Sequence, residues 1–325
     1  MDLGTTYLGM RLPHPLIVGA GPLGDELDRV KALEDAGAAL LVLRSLYEEE
    51  ITGEQMDDFF NVERHSQSFA EAETYAPEPM IALGPDEYLE HLRLVKAAVG
   101  IPVVASLNGV TPGGWIGYAG LLEQAGADAL ELHIYHAASD MTAGAAEVER
   151  QAIEIVREVK RNLRIPVAVK LAPLLTAFAH FARQLDEAGA DGLVLFTRFH
   201  RVDIDVNELE IVRTLPLSDS SELPLRLRGV AALAGRVNAS LAVTGGVHTG
   251  IDVIKATMAG AHATQMVSAL LRYGPSRLRA VRGEVESWMQ EHEWNSLDEM
   301  RGNMSLERIP DPAAYERANF RMSLR

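Results

Sequence analysis

The segment best suited to hold an anion is Thr244-Gly245-Gly246-Val247-His248-Thr249-Gly250. Two adjacent glycines let backbone N–H groups approach phosphate oxygens, and a helix capped by Thr249 turns its positive end toward them. The alternative is an ordinary tight turn with a capped helix. Ser268, in Val267-Ser268-Ala269, adds a hydroxyl after the next apolar run. Lys170 ends the otherwise apolar run VAVKL, where a buried ammonium needs an anionic partner unless its stem carries it out to solvent. Other polar groups that follow apolar runs are Arg44 and Ser45, Ser106 and Asn108, and the set His133, Tyr135 and His136 in ELHIYHAAS. Imidazole titrates near neutrality and suits proton transfer, although a single histidine is often only structural. Gly19-Ala20-Gly21 supplies small residues that leave room for a flat ring.

These residues share one kind of position, the end of a short apolar run, so the elements that carry those runs decide whether they meet. Ala-Gly-Ala recurs at 36–38, 125–127, 188–190 and 259–261, each time before such a run (LLVL, ALEL, GLVL, ATQM). Ile-Pro at 101–102 and 165–166 precedes VVASL and VAVKL, Ala239-Ser240 precedes LAVTG, and Leu16–Ala20 opens the series. That makes eight strands. Between them, apolar residues recur at steps of three or four, as in Val148, Ala152, Ile155 and Val159, which predicts amphipathic helices. Strand and helix alternating eight times predict an α/β protein, a (β/α)8 TIM barrel, rather than an open sheet, and no GxGxxG follows the first strand. Barrels of this kind keep their chemistry at the C-terminal strand ends.

A single domain is expected, with its core at about 14–290. Glu48–Pro85 after the second strand and Arg198–Leu223 after the sixth are read as lids or substrate loops, a dimer contact or surface loop being the alternative, and Trp288–Arg325 as a polar tail. The chain has 325 residues against roughly 250 for a plain barrel, so insertions account for the excess. A net charge of −16 opposes binding to nucleic acid or anionic lipid, so any bound phosphate is held locally. The absence of cysteine excludes disulfides, thiolate metal sites, cysteine-ligated iron–sulfur clusters and cysteine catalysis. No metal site is expected. With neither an apolar leader nor a long apolar span in the sequence, a cytoplasmic protein without membrane contact is expected.

In order and spacing, PLIVGAGPLG, IPVVASLNG, ELHIYHAAS, VAVKLAP, LAVTGGVHTG and GAHATQMVSAL resemble the dihydroorotate dehydrogenase family over essentially the whole barrel. The resemblance implies FMN as cofactor, with Gly245, Gly246 and Ser268 at its phosphate. It puts Ala20, Gly21, Arg44, Ser45 and Lys170 along the ring and ribityl chain, and Ser106, Asn108, His133 and Thr197 as further contacts. A flavin ring would then be the anionic partner that Lys170 requires. The resemblance also implies a homodimer and a place in pyrimidine biosynthesis, and with no cysteine for an iron–sulfur centre onward electron transfer would need a soluble acceptor or another subunit.

This sequence departs from the family where substrate is handled. The family's proton-removing cysteine or serine corresponds to His136, its substrate-holding asparagines to His133, Ala138 and Thr197, its lysine beside the flavin to Arg44, and a phosphate-loop glycine to Val267. Replacing a carboxamide with alanine removes a donor and an acceptor that recognise amides. The expectation is an oxidoreductase acting on a CH–CH bond of a dihydropyrimidine-like or related small substrate, with His136 as acid–base residue. Two alternatives stay open: a flavin-binding or partner-binding subunit without turnover, and a flavin-free barrel using Lys170 as Schiff base or proton carrier.

Overall fold

In a computed structural model of the protein, residues 1–48, 50, 51, 84–109, 113, 115–134, 141–198 and 201–312 are described. The chain opens with an antiparallel hairpin, β1 (Thr5–Tyr7) and β2 (Met10–Leu12). Next come β3 (Leu16–Val18), β4 (Leu41–Tyr47), β5 (Val103–Asn108), β6 (Ala129–His133), β7 (Val167–Leu171) and β8 (Gly192–Leu195). A second hairpin, β9 (Arg201–Asp205) and β10 (Glu210–Thr214), precedes β11 (Ser240–Thr244) and β12 (Ala263–Met266). Eight strands close a parallel barrel in the order β11-β12-β3-β4-β5-β6-β7-β8. The fold is the (β/α)8 TIM barrel that the repeat predicts.

The helices around it are α1 (Leu27–Asp35), α2 (Pro85–Ala98), α3 (Trp115–Gln124), α4 (Ala145–Asn162), α5 (Phe178–Glu187), α6 (Leu223–Leu233), α7 (Gly250–Ala259), α8 (Ser268–Tyr273), α9 (Ser276–Glu291) and α10 (Leu297–Met300). The recurring Ala-Gly-Ala ends α1, α3, α5 and α7. Its glycines, 37, 126, 189 and 260, have φ of 92°, 100°, 103° and 123°, which stops a helix and which a residue with a Cβ adopts at a penalty. The acid two residues before that phrase also does work. Glu34 Oε1 accepts from Gly100 N and Ile101 N, Glu123 Oε1 from Arg164 N and Ile165 N, and Asp186 Oδ1 from Asn238 N and Ala239 N. Each helix end thereby fixes the entry to a following strand, satisfying amides that the barrel's lower rim would otherwise leave bare.

Two apolar layers result. Side chains facing the helices form the larger core, and the lumen is filled by Ile17, Val42, Val104, Ala129, Ala168, Val194, Ala242 and Ala263, with Tyr7, Leu8 and Leu12 of the first hairpin packed among them. The lumen is a packed core that only changes character toward the C-terminal strand ends.

The described part of the polar stretch Trp288–Arg325, as far as residue 312, packs on the barrel. Trp288 lies within α9, Leu297 and Met300 of α10 are fully buried, and the N–H groups of Met304 and Leu306 donate to the carbonyls of Met258 and Ala231, both at 2.9 Å. A few apolar anchors in a polar stretch suffice to bind it down. Residues 52–83 of the first insertion and 313–325 lie outside the described residues. Among the described residues no helix is long and apolar enough to cross a membrane.

Candidate active site

At the C-terminal ends of β6, β7 and β12 the lumen becomes polar. Lys170 Nζ donates to Glu131 Oε1 at 2.9 Å, and Gln265 Nε2 donates to Glu131 Oε2 at 2.6 Å. Glu131 and Gln265 are each 1% exposed. Glu131 is the anionic partner of Lys170 that the sequence reading assigned to a bound ring, so the protein itself answers the charge. Burial pushes Tyr7 well above the ordinary phenol range, and the Glu131 charge adds to that effect. Gln265 Oε1 is buried without a hydrogen-bond partner among the described residues.

Next to this pair, Asn108 Nδ2 lies 3.0 Å from His133 Nδ1. With the amide donating, the ring proton sits on Nε2. Burial, with Lys170 second, lowers the His133 pKa to about 3, so the ring is neutral at ordinary pH. Ser45 and Ser106 hydroxyls are 2.7 Å apart on neighbouring β4 and β5. The Tyr88 hydroxyl steadies this corner, donating to the Arg44 carbonyl at 2.8 Å and accepting from Ser106 N at 3.1 Å. The Arg44 guanidinium faces Asp25, Nε to Oδ1 at 3.4 Å. Thr197 is buried, its N–H bonded to the Leu171 carbonyl at 2.9 Å.

A second cluster sits at β11 and β12. Gly245 and Gly246 have φ of 82° and 83°. Ser218, from the insertion after β8, donates its N–H to Ser268 Oγ at 3.0 Å, while its own Oγ is 3.4 Å from Gly246 N and 3.1 Å from His248 Nε2. Ser218, His248 and Ser268 are all buried. The segment is strapped down by Arg198, which bonds Glu222 through both carboxylate oxygens, and by Arg226, which donates to the Thr244 carbonyl at 3.0 Å. A Cβ on Gly246 would lie 2.6 Å from Leu223 N, so the α6 terminus leaves no room for a side chain there. Outside the cluster a cavity of about 570 Å³ is walled by His248, Arg272 and Arg277.

Between the clusters, Ala20 packs on the lumen core. A Cβ on Gly19 would meet Val267 Cγ2 at 3.0 Å and one on Gly21 would meet Val267 Cγ1 at 3.1 Å. The space left by these small residues is thus taken in part by Val267. His136, the expected acid–base residue, and Ala138 lie outside the described residues.

Sequence reasoning missed Glu131, Gln265, Ser218 and His248. The first two were findable by alternation, since Glu131 shares its strand face with His133 and Gln265 is the only amide in an apolar run. Ser218 is 50 residues from Ser268, and no local pattern joins them.

At the strand ends the barrel has one corner of hydroxyls, imidazole and glycine amides beside Asp252, and one built on the Lys170–Glu131 pair. The chain belongs to the dihydroorotate dehydrogenase family, whose model matches residues 2–289. Among similar proteins, one from Aeropyrum pernix provisionally named dihydroorotate dehydrogenase A (fumarate) is 27% identical, covering 93% of this chain and 97% of that one. The dihydroorotate dehydrogenase B (NAD(+)) catalytic subunit of Thermoplasma acidophilum is 25% identical over 93% and 98%. The chloroplastic dihydropyrimidine dehydrogenase (NADP(+)) of Arabidopsis thaliana is 23% identical over 93% and 76%.

Proposed function

We propose that the protein is an FMN-dependent oxidoreductase acting on a CH–CH bond of a dihydropyrimidine-like small substrate. The supporting observation is the corner where Gly246 N, Ser218, Ser268 Oγ and the His248 ring meet, a set of amides, hydroxyls and imidazole that fits a phosphate monoester, with the Asp252 carboxylate beside it turned to the His248 and Thr249 amides. These groups, with Gly245, would hold the phosphate. Ala20, Gly21, Arg44, Ser45, Ser106, Asn108, His133, Lys170 and Thr197 would line the rest of the cofactor.

When bound, FMN supplies a two-electron acceptor. Lys170 brings a positive charge that favours the negative charge gained on reduction. His133, neutral down to a pKa of about 3, acts as a hydrogen-bond group and not as a base. Proton removal then falls to His136. Ala138 offers neither the donor nor the acceptor of the carboxamide it corresponds to, so turnover of dihydroorotate itself is expected to be weak or absent. The names of the similar proteins support a cyclic amide as substrate class.

The test is reduction of the FMN-loaded protein under anaerobic conditions by a panel of dihydropyrimidine-like compounds, for wild type and His136→Ala. Bleaching in the wild type and its loss in a variant that keeps FMN is the expected result. Rapid bleaching by dihydroorotate contradicts the substrate reading, and no bleaching by any compound favours a flavin-binding subunit. A homodimer is proposed as well, supported by Val202, Ile204 and Ile211, which the β9–β10 hairpin exposes on one face. Light scattering of Ile204→Asp against wild type tests it, with dissociation expected.

A further inference from the structure

Glu131 is the most buried carboxylate among the described residues, and none of the chemistry above uses it. An amide at this position could hydrogen-bond both neighbours without bringing a charge into an apolar lumen. The carboxylate therefore needs a reason beyond filling space. Its geometry is specific. Oε2 is engaged by Gln265 from β12, four strands away across the barrel, which leaves Oε1 turned to Lys170 on the adjacent β7. Lys170 is held at the strand end with its side chain 12% exposed, when its stem is long enough to reach solvent. The ammonium has no second hydrogen-bond acceptor among the described residues, so two of its donors remain for a bound group.

We infer that Glu131, braced by Gln265, is a positioning residue that holds the Lys170 ammonium at the strand end and offsets part of its charge, so that the reduction potential of bound flavin depends on Glu131 through Lys170. The inference rests on the FMN reading above. An unpaired ammonium favours the more negative reduced cofactor over the oxidised one, and a carboxylate in direct contact weakens that preference.

The experiment measures the midpoint potential and FMN dissociation constant of the loaded protein, with a melting curve to check the fold. Glu131→Gln keeps the hydrogen-bonding shape and removes the charge. It is expected to strengthen binding of reduced relative to oxidised FMN about tenfold, a rise of ~30 mV for a two-electron couple. Glu131→Asp, which keeps the charge, restores most of the wild-type value. In a Lys170→Met background the Glu131→Gln shift shrinks at least threefold, because the ammonium through which Glu131 acts is gone. Gln265→Met removes only the brace and moves the potential in the same direction by about twofold to threefold in relative affinity.

A folded, FMN-loaded Glu131→Gln protein whose potential stays at the wild-type value overturns the inference and leaves the FMN reading standing. A shift of full size without Lys170 also overturns it, since Glu131 would then act directly. If Glu131→Gln does not fold, Gln265→Met decides by the same criterion. A wild-type protein that takes up no FMN overturns both readings.

Discussion

The two corners of the barrel mouth satisfy buried polar groups in opposite ways. At β11 and β12 the groups that bond one another are uncharged, Ser218, Ser268, His248 and Gly246 at 3.0–3.4 Å, and the Asp252 carboxylate beside them accepts from the His248 and Thr249 amides. At β6 and β7 they are charged, Lys170 against Glu131 at 2.9 Å with Gln265 closing the set. Neutral bonds of that length are individually weak, so a ligand can replace them at modest penalty. A buried ion pair cannot be parted in the same way, because each member alone is a desolvated charge. The neutral corner can therefore exchange partners more readily, and the charged corner holds one electrostatic setting throughout.

The largest effect should come from breaking the charged corner. Lys170→Ala is expected to destabilise the fold by about 3–5 kcal/mol in urea unfolding, with Lys170→Ala combined with Glu131→Gln recovering most of it. Equal losses in the single and double variants would mean that packing, not charge, dominates there. Next is Gly246→Ala at the neutral corner, where a positive φ and the close Leu223 backbone predict a loss of roughly 2–3 kcal/mol together with FMN uptake, read by melting and flavin absorbance.

A smaller effect separates the corners by pH. The His133 pKa is lowered to about 3 in the folded state, against roughly 6.5 unfolded, so the unfolded chain binds the extra proton in that window. Stability is full above pH ~6.5 and falls as pH drops toward 3. Between pH 6.5 and 5 the wild type should lose roughly 1–2 kcal/mol more than His133→Asn, measured as unfolding midpoints at each pH. His14 and His262, each lowered to about 4 chiefly by burial, add the same trend in both proteins and cancel in the difference. Smallest is Ser218→Ala, expected to reduce stability by about 1 kcal/mol and FMN affinity about fivefold by equilibrium titration.

The barrel was legible because its signals are local. Ala-Gly-Ala marks a helix stop wherever it occurs, and the acid two residues before it, at 34, 123 and 186, reads as part of the same phrase. Lys170 was legible as a residue in need of an anion, and Gly245-Gly246 as a tight turn, where both φ values are positive. The partners were not. Glu131 meets Gln265 across 134 positions, and Ser218 meets Gly246 across 28 through a segment whose course depends on Arg198, Glu222 and Arg226. Composition marks the tail as polar and averages over the few residues, Leu297 and Met300, that anchor it.

By itself the sequence determined the eight strands, the strand ends at which polar groups collect and the residue types available there. All three follow from periodicity and from backbone conformations that only certain residues adopt. Only the tertiary structure decided that the anion needed by Lys170 is Glu131, and that Val267 narrows the gap beside Gly19 and Gly21. Barrel closure brings together side chains from opposite strands, and whether a buried charge is answered by the protein or by a ligand depends on distances that no single strand encodes.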